Sequence, residues 1–219
     1  TYWLLKGRFE EDEVRLLAAE LGGALGFLHD LGIVHRDLKI RLVLGHLRLS
    51  DFGLSRHLDR GGRAFTVCGT IQYMAPEVLS GGPYGHAADW WSLGILLFSL
   101  VAGESRTTSA LRSVSSNYIL SPPEGGQAFS NTVLFLSSLI QLLCKSPASR
   151  LRDLQRFKMQ AFFRGASFDS YLLQKTPVKF ILELGNHPDW ESNDSSIFLT
   201  YVGRRRVYKP RPGVSAFKV

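Results

Sequence analysis

Residues 35–53 read HRDLKIRLVLGHLRLSDFG and hold the densest set of groups in the chain that could do chemistry. His35, Arg36 and Asp37 are followed by Leu38 and Lys39, and Asp51, Phe52 and Gly53 close the stretch. In type and order these residues form a phosphoryl-transfer signature. One residue of the pattern is missing. Five places after Asp37, where the pattern has an asparagine, stands Leu42, and no asparagine occurs before Asn117.

The elements around this stretch are legible from apolar spacing. Glu11 to Asp30 carries Val14, Leu17, Leu21, Leu25 and Leu28 at the spacing of one helical face, which predicts an amphipathic helix. Gly22, Gly23 and Gly26 weaken it by up to about 1 kcal/mol each relative to alanine, so burial must stabilise it. Ile33 with Val34, Leu42 to Leu44 and Leu47 to Leu49 read as short extended pieces, with Gly45 turning between the last two. Residues 54–74 lack clear periodicity and read as a loop. Short and long helices are expected from Pro76 to Leu79, from Ala87 to Ala102 and from Ser130 to Cys144, with SPPEGG (121–126) as a connection. After Phe163 the periodicity fades, and 186–196 is polar and loop-like. The predicted class is mainly α-helical with a small β-hairpin.

The 219 residues, 45% hydrophobic and 21% charged, suffice for one sizeable core or two small ones. The apolar run Trp90–Ala102 is too short to span a hydrocarbon core of roughly 30 Å, so it reads as a buried helix, and no membrane or secretory signal is expected. Cys68 and Cys144 lie far apart without metal-ligand spacing, which points to reduced thiols in a cytoplasmic or nuclear setting. The net charge is +7, and five basic residues crowd into 204–211. A single basic cluster without interleaved aromatics reads as a solvated tail, so a nucleic-acid partner is not expected.

Six segments in order carry a family resemblance: HRDLK at 35, SDFGLS at 50, TVCGTIQYMAPE at 66, DWWSLG at 89, PASRL at 147 and FFRG at 162. Over roughly residues 1–180 the chain resembles the large C-terminal lobe of an AGC-type serine/threonine protein kinase. The CGTxxYMAPE segment and LLQKTPVKF resemble the branch related to the ribosomal-protein kinases. The resemblance implies a kinase-lobe unit over 1–163 and an AGC-like tail, largely irregular, over 164–219.

It also implies roles. Asp37 would accept the proton of a substrate hydroxyl and Lys39 would place a positive charge by the transferring phosphate. Asp51, beside Gly53, would hold the magnesium ion that accompanies ATP. Thr66 falls at an activation-loop phosphosite served by an upstream kinase, with Arg36 as the partner of that phosphate. Thr70 matches a residue that bonds the catalytic aspartate and lines the groove for a protein substrate bearing serine or threonine. Architectural roles fall to Glu77 paired with Arg150, to Asp89 accepting from catalytic-loop backbone, and to His35 stacked with Phe52 in the core beneath the site.

The chain also departs from the pattern. Asp37 and Asp51 are 14 residues apart, roughly four fewer than the resemblance implies. Leu42, in the asparagine's place, cannot ligate magnesium. No GxGxxG loop or VAIK lysine precedes the helix at Glu11, so the expectation is a chain that starts inside the large lobe, without the N-terminal lobe. The acidic residue expected in the helix after DWWSLG is Ser99, and SIFLTYV (196–202) faintly resembles a hydrophobic motif with Thr200 as its phosphosite. Two readings stay open: a serine/threonine kinase using ATP and Mg²⁺, present as a partial domain, or a pseudokinase-like binding module.

Overall fold

The computed structural model describes residues 9–43, 46–102, 132–169, 173 and 197–199. Helix α1 runs Glu11–Asp30. It starts on a capping box, in which the Glu13 carboxylate accepts from the Glu10 backbone N–H at 2.8 Å, and its first turn is acidic, matching the partial positive charge of a helix N-terminus. Val14, Leu17, Leu21, Leu25 and Leu28 form its buried face.

Two of its glycines are there for contact. A Cβ on Gly22 would sit 2.3 Å from the Phe157 ring, and one on Gly26 would sit 2.7 Å from Leu154, whereas Gly23 faces open space. The glycines that cost helix propensity at 22 and 26 therefore let α5, Leu154–Lys158, approach the α1 backbone.

Short strand β1, Ile33–Val34, pairs antiparallel with β4, Arg56–His57. Strand β4 lies in the stretch expected to be loop, and two-residue strands carry no period by which to see them. Strands β2, Lys39–Val43, and β3, His46–Ser50, form the expected hairpin, but β2 begins earlier than the apolar run suggests. A third strand, β5, Ile197–Leu199, pairs with the other edge of β2, giving the order β3-β2-β5.

Helix α2, Pro76–Leu79, opens on proline at its first position, where the ring's missing N–H costs nothing. Helix α3, Ala87–Ala102, is apolar on all sides and accordingly central: Trp90, Leu93, Ile95, Leu97 and Leu100 are all fully buried. Helix α4, Thr132–Leu142, packs on it at Gly94, where a Cβ would lie 2.9 Å from Leu142 and from Leu143. Phe157, Phe162 and Phe163 complete the core, with ring centroids 4.5–5.1 Å apart between successive pairs.

The architecture is thus mostly helical with small antiparallel sheets. No helix among the described residues is long and apolar enough to cross a membrane. The 121–126 and 186–196 segments, the basic cluster at 204–211, Thr200 and most of the 164–219 unit fall outside the described residues.

Candidate active site

The site is built on the N-terminus of α3. Asp89, 1% exposed, accepts from the His35 backbone N–H at 2.8 Å and from the Arg36 N–H at 2.9 Å. Its Oδ2 also meets His29 Nε2 at 2.9 Å. Trp90 Nε1, which can only donate, points at His29 Nδ1 at 3.1 Å, so the neutral His29 ring carries its proton on Nε2 and donates to Asp89. His29 lies in the last turn of α1 and was not legible as part of the site. Its only sequence signal is a basic residue in a last helical turn.

Held in this way, the chain turns sharply. Arg36 has φ +71° and Asp51 has φ +62°, and among the described residues these are the non-glycine positions with positive φ. Such conformations cost about 1 to 3 kcal/mol each and persist where surrounding contacts over-determine them. The Asp89 carboxylate supplies those contacts at Arg36.

Asp37, 7% exposed, receives the stretch that carries Thr70. Its Oδ1 accepts from Thr70 Oγ1 at 2.7 Å and from the Thr70 backbone N–H at 3.1 Å. Gly69 allows this approach: its φ is +107°, and a Cβ there would lie 2.4 Å from the Arg36 carbonyl oxygen. Only glycine satisfies both the conformation and the contact.

Lys39 opens β2 opposite Ser50, the residue before Asp51. Asp51 is exposed, and Gly53 lies against it, a Cβ there meeting Asp51 Oδ1 at 3.3 Å. Leu42 stands in mid-ladder between Leu47 and Ile197 in register.

His35 is fully buried and packs against Phe52 with ring centroids 4.9 Å apart and the planes tilted at 56°, in place of the expected stack. Burial holds its pKa below the ordinary histidine value against the opposing pull of Asp89, Asp37, the Ser50 backbone and Asp51. Phe52 departs from the expectation of a core position. It is 48% exposed, because the 3₁₀ turn Phe52–Leu54 that carries it lies on the surface of the described residues.

Thr66 is exposed, and its carbonyl accepts from Tyr84 Oη at 2.6 Å. Arg36, which donates to the Leu54 carbonyl, lies near enough to the same phenol to pull its pKa down, so Tyr84 stands between Arg36 and Thr66. Burial raises the Tyr84 pKa above the usual phenol value, opposed by Arg36.

Glu77 and Arg150 meet across 73 residues in a bidentate pair, Nη1–Oε1 2.6 Å and Nη2–Oε2 2.9 Å. Arg150 is fully buried and spends its remaining donors on the carbonyls of Ala87, Cys144 and Lys145, so all five guanidinium N–H groups are satisfied. A second buried pair escaped sequence reasoning. Glu20 on α1 holds His46 Nδ1 at 2.5 Å and the Leu47 N–H at 2.9 Å, anchoring β3 to the helix.

Ser99 is buried and bonds the Leu96 carbonyl, so it presents nothing to a groove. Cys68 and Cys144 are free thiols. No group of three His, Cys, Asp or Glu side chains among the described residues is arranged to hold a metal. A magnesium ion carried in by ATP needs only one or two carboxylates in addition to the phosphates, and exposed Asp51 fits that lesser requirement.

Comparison with known proteins agrees with the geometry. A family model described as protein kinase domain matches residues 2–158. The chain is 52% identical over 191 residues, 83% of its length, to the human protein named ribosomal protein S6 kinase-related protein. It is 40% identical over 179 residues, 78% of its length, to mouse ribosomal protein S6 kinase alpha-6. The chain spans less than half the length of these relatives, 45% and 23% of them.

Proposed function

The chain belongs to the protein kinase family, among the relatives of the ribosomal protein S6 kinases, and on that premise we propose that Asp37 and its surroundings transfer the γ-phosphoryl group of ATP to serine or threonine hydroxyls of proteins. The observation that carries the reading is the double hydrogen bond from Thr70 to Asp37 Oδ1. It fixes one oxygen of a nearly buried carboxylate and so orients the carboxyl group toward an acceptor lying along the activation segment.

In this reading residues 1–163 are the large lobe of a kinase domain and 164–219 its tail. Asp37 accepts the hydroxyl proton and aligns the oxygen, the kind of positioning on which this chemistry chiefly depends. Asp89 and His29 hold the backbone that carries Asp37. Asp51 is the carboxylate for Mg²⁺, Lys39 the cation beside the phosphate, and bound ATP with Mg²⁺ supplies the phosphoryl group and the neutralisation of its charge. Thr66 is the site at which an upstream kinase acts, Arg36 and Tyr84 receiving the new charge. A reducing compartment, cytosol or nucleus, suits the free thiols of Cys68 and Cys144.

A second reading is favoured by one observation. Strand β2 begins two residues after Asp37 and stays paired through Val43, so the stretch that should supply a second metal ligand is ladder instead of loop. A protein-docking lobe without transfer would tolerate that arrangement.

The test is purified protein with labelled ATP, Mg²⁺ and a generic protein substrate, beside Asp37→Ala. The first reading expects slow incorporation into serine or threonine that disappears in the variant. Equal background in both proteins would give the site to the second.

A further inference from the structure

Tyr84 is 2% exposed, yet its hydroxyl reaches groups on which the surroundings of Thr66 depend. Oη donates to the Thr66 carbonyl at 2.6 Å and lies 3.9 Å from Cys68 Sγ. Burial raises the phenol's pKa, and Arg36 stands near enough to oppose the rise. Arg36, Cys68, Tyr84 and Asp89 also line one cavity of about 10 Å³, room for a single water at most.

The backbone on either side makes this contact matter. Ala64 and Tyr84 exchange both of their backbone hydrogen bonds, at 2.8 and 2.9 Å, in an isolated bridge. Past Ala64 the pairing stops. Phe65, Thr66 and Val67 are exposed, and Thr70 is the next residue whose backbone is bonded, through its N–H to Asp37 Oδ1. Among the described residues, the backbone of 65–69 makes one hydrogen bond, the one that the Thr66 carbonyl accepts from Tyr84. An exposed stretch tied at both ends and by a single bond between them opens locally when that bond is lost. While it is made, the backbone of Thr66 is fixed and the residue stays exposed, an arrangement that presents the threonine to another enzyme.

We propose that Tyr84 is a positioning residue whose hydroxyl holds the backbone of Thr66 in place in the unmodified chain. It does in advance part of the ordering that a phosphate on Thr66, paired with Arg36, would do, so the phosphate adds little order while the hydroxyl is present. The proposal rests on the reading of Thr66 as the residue that an upstream kinase modifies. It concerns the hydroxyl alone. A tyrosine of purely architectural value would act through its buried ring and its bridge to Ala64, and phenylalanine keeps both.

The test compares the full chain with its Tyr84→Phe variant, each with threonine and with phosphothreonine at 66. Two readouts follow the stretch: alkylation of Cys68 by iodoacetamide, with the other free thiol, Cys144, as internal reference, and chymotryptic cleavage after Phe65 under native conditions. With threonine at 66, Tyr84→Phe should quicken both about tenfold, within the worth of one buried hydrogen bond, and leave Cys144 unchanged. Phosphothreonine should bring Cys68 of the variant back to within about twofold of the unsubstituted chain, and should change the unsubstituted chain by less than about twofold.

Equal rates in the two threonine proteins overturn the proposal. So does a parallel rise at Cys144, which would mean that the whole fold has opened, and so does a rise at Cys68 without one at Phe65, which would confine the hydroxyl's effect to the thiol. Phosphothreonine that slows Cys68 as strongly in the unsubstituted chain as in the variant overturns the shared task. If Tyr84→Phe quickens both readouts and phosphothreonine leaves the variant's Cys68 fast, the result counts against the reading of Thr66 and Arg36 alone.

Discussion

Replacing Gly69 with alanine tests whether the segment carrying Thr70 is pinned to the Arg36–Asp37 turn through one backbone contact. The added Cβ would stand 2.4 Å from the Arg36 carbonyl oxygen, in a backbone at φ +107°. The conformation alone costs an L-residue about 1 to 3 kcal/mol, and forcing a methyl into filled space costs about 1 to 3 more. The chain has one escape, to lift the segment away. That surrenders the two hydrogen bonds from Thr70 to Asp37 Oδ1, each worth about 1.5 to 3 kcal/mol because the acceptor is charged. The two routes cost about the same, so Gly69→Ala should destabilise by about 3 to 6 kcal/mol, with the segment released and the helical core intact. Thr70→Val removes the hydroxyl bond directly. Once the segment has lifted, that change has nothing left to remove, so the double variant should be less destabilised than the sum of the singles. Urea unfolding of the four proteins measures this, with hydrogen exchange at the Thr70 amide as the local probe. Full additivity, or a Gly69→Ala protein of unchanged stability, would refute the contact argument.

Three further outcomes are expected. Gly22→Ala should destabilise by about 1 to 3 kcal/mol because Phe157 fills the space, while Gly23→Ala, on open space in the same helix, should stabilise by up to about 1 kcal/mol; thermal unfolding of both decides whether α1 is limited by packing or by propensity. Arg150→Met should cost about 3 to 5 kcal/mol by stranding the Glu77 carboxylate, and adding Glu77→Met should recover much of it, as read from urea midpoints. Burial lowers the pKa of both His35 and His86, His29 adding to the effect at His86, so the unfolded chain takes up protons at these residues before the folded one does. Stability from this source is complete above the ordinary histidine value of 6.5, falls as pH drops through it and levels off below the folded-state values. A urea midpoint at pH 5.5 no lower than at pH 7.5 would contradict that sign.

The sequence reveals what repeats or what is unusual in type, and it hides what depends on distant approach. Helix α1 is legible because its buried leucines recur at helical spacing, and α3 because WWSLGILLFSLVA can only be interior. Asp37, Asp89 and the Glu77–Arg150 pair are visible through motif order. The β1–β4 pair is invisible, since its partners Val34 and Arg56 are far apart in sequence and neither strand is long enough to show alternation. His29, Tyr84 and the Glu20–His46 pair are hidden for a related reason. Each is an ordinary residue in an ordinary context until the fold brings Asp89, the Thr66 carbonyl or the Leu47 amide against it. Gly22 and Gly69 look like liabilities in one dimension and become contact points in three.

The shortened stretch between Asp37 and Asp51 can be weighed in the same terms. Its hairpin runs from the Lys39–Ser50 pair to the Val43–His46 pair, so Leu38 is the one residue between Asp37 and the ladder. The register is set by the strand pairs from Ile40–Leu49 to Val43–His46, which lie beyond the pair next to Asp37. Residues inserted between Lys39 and Ile40 would therefore enter a loop and leave the Ile40–Leu49 and later pairs unshifted. Lengthening such a loop is inexpensive, about 0.6 kcal/mol for each doubling. The fold thus tolerates the longer loop without requiring the shorter one, and the short form bears on chemistry more than on stability. Inserting four residues that include an asparagine, roughly the length by which the loop falls short of the family pattern, should leave the urea midpoint nearly unchanged, within about 1 kcal/mol. If Asp37 and Asp51 are otherwise competent, the same insertion should raise labelled transfer, and Asp37→Ala should abolish the gain. A stable, lengthened protein whose transfer stays at the Asp37→Ala background would move the deficit away from this loop and leave the docking reading as the better account of the site.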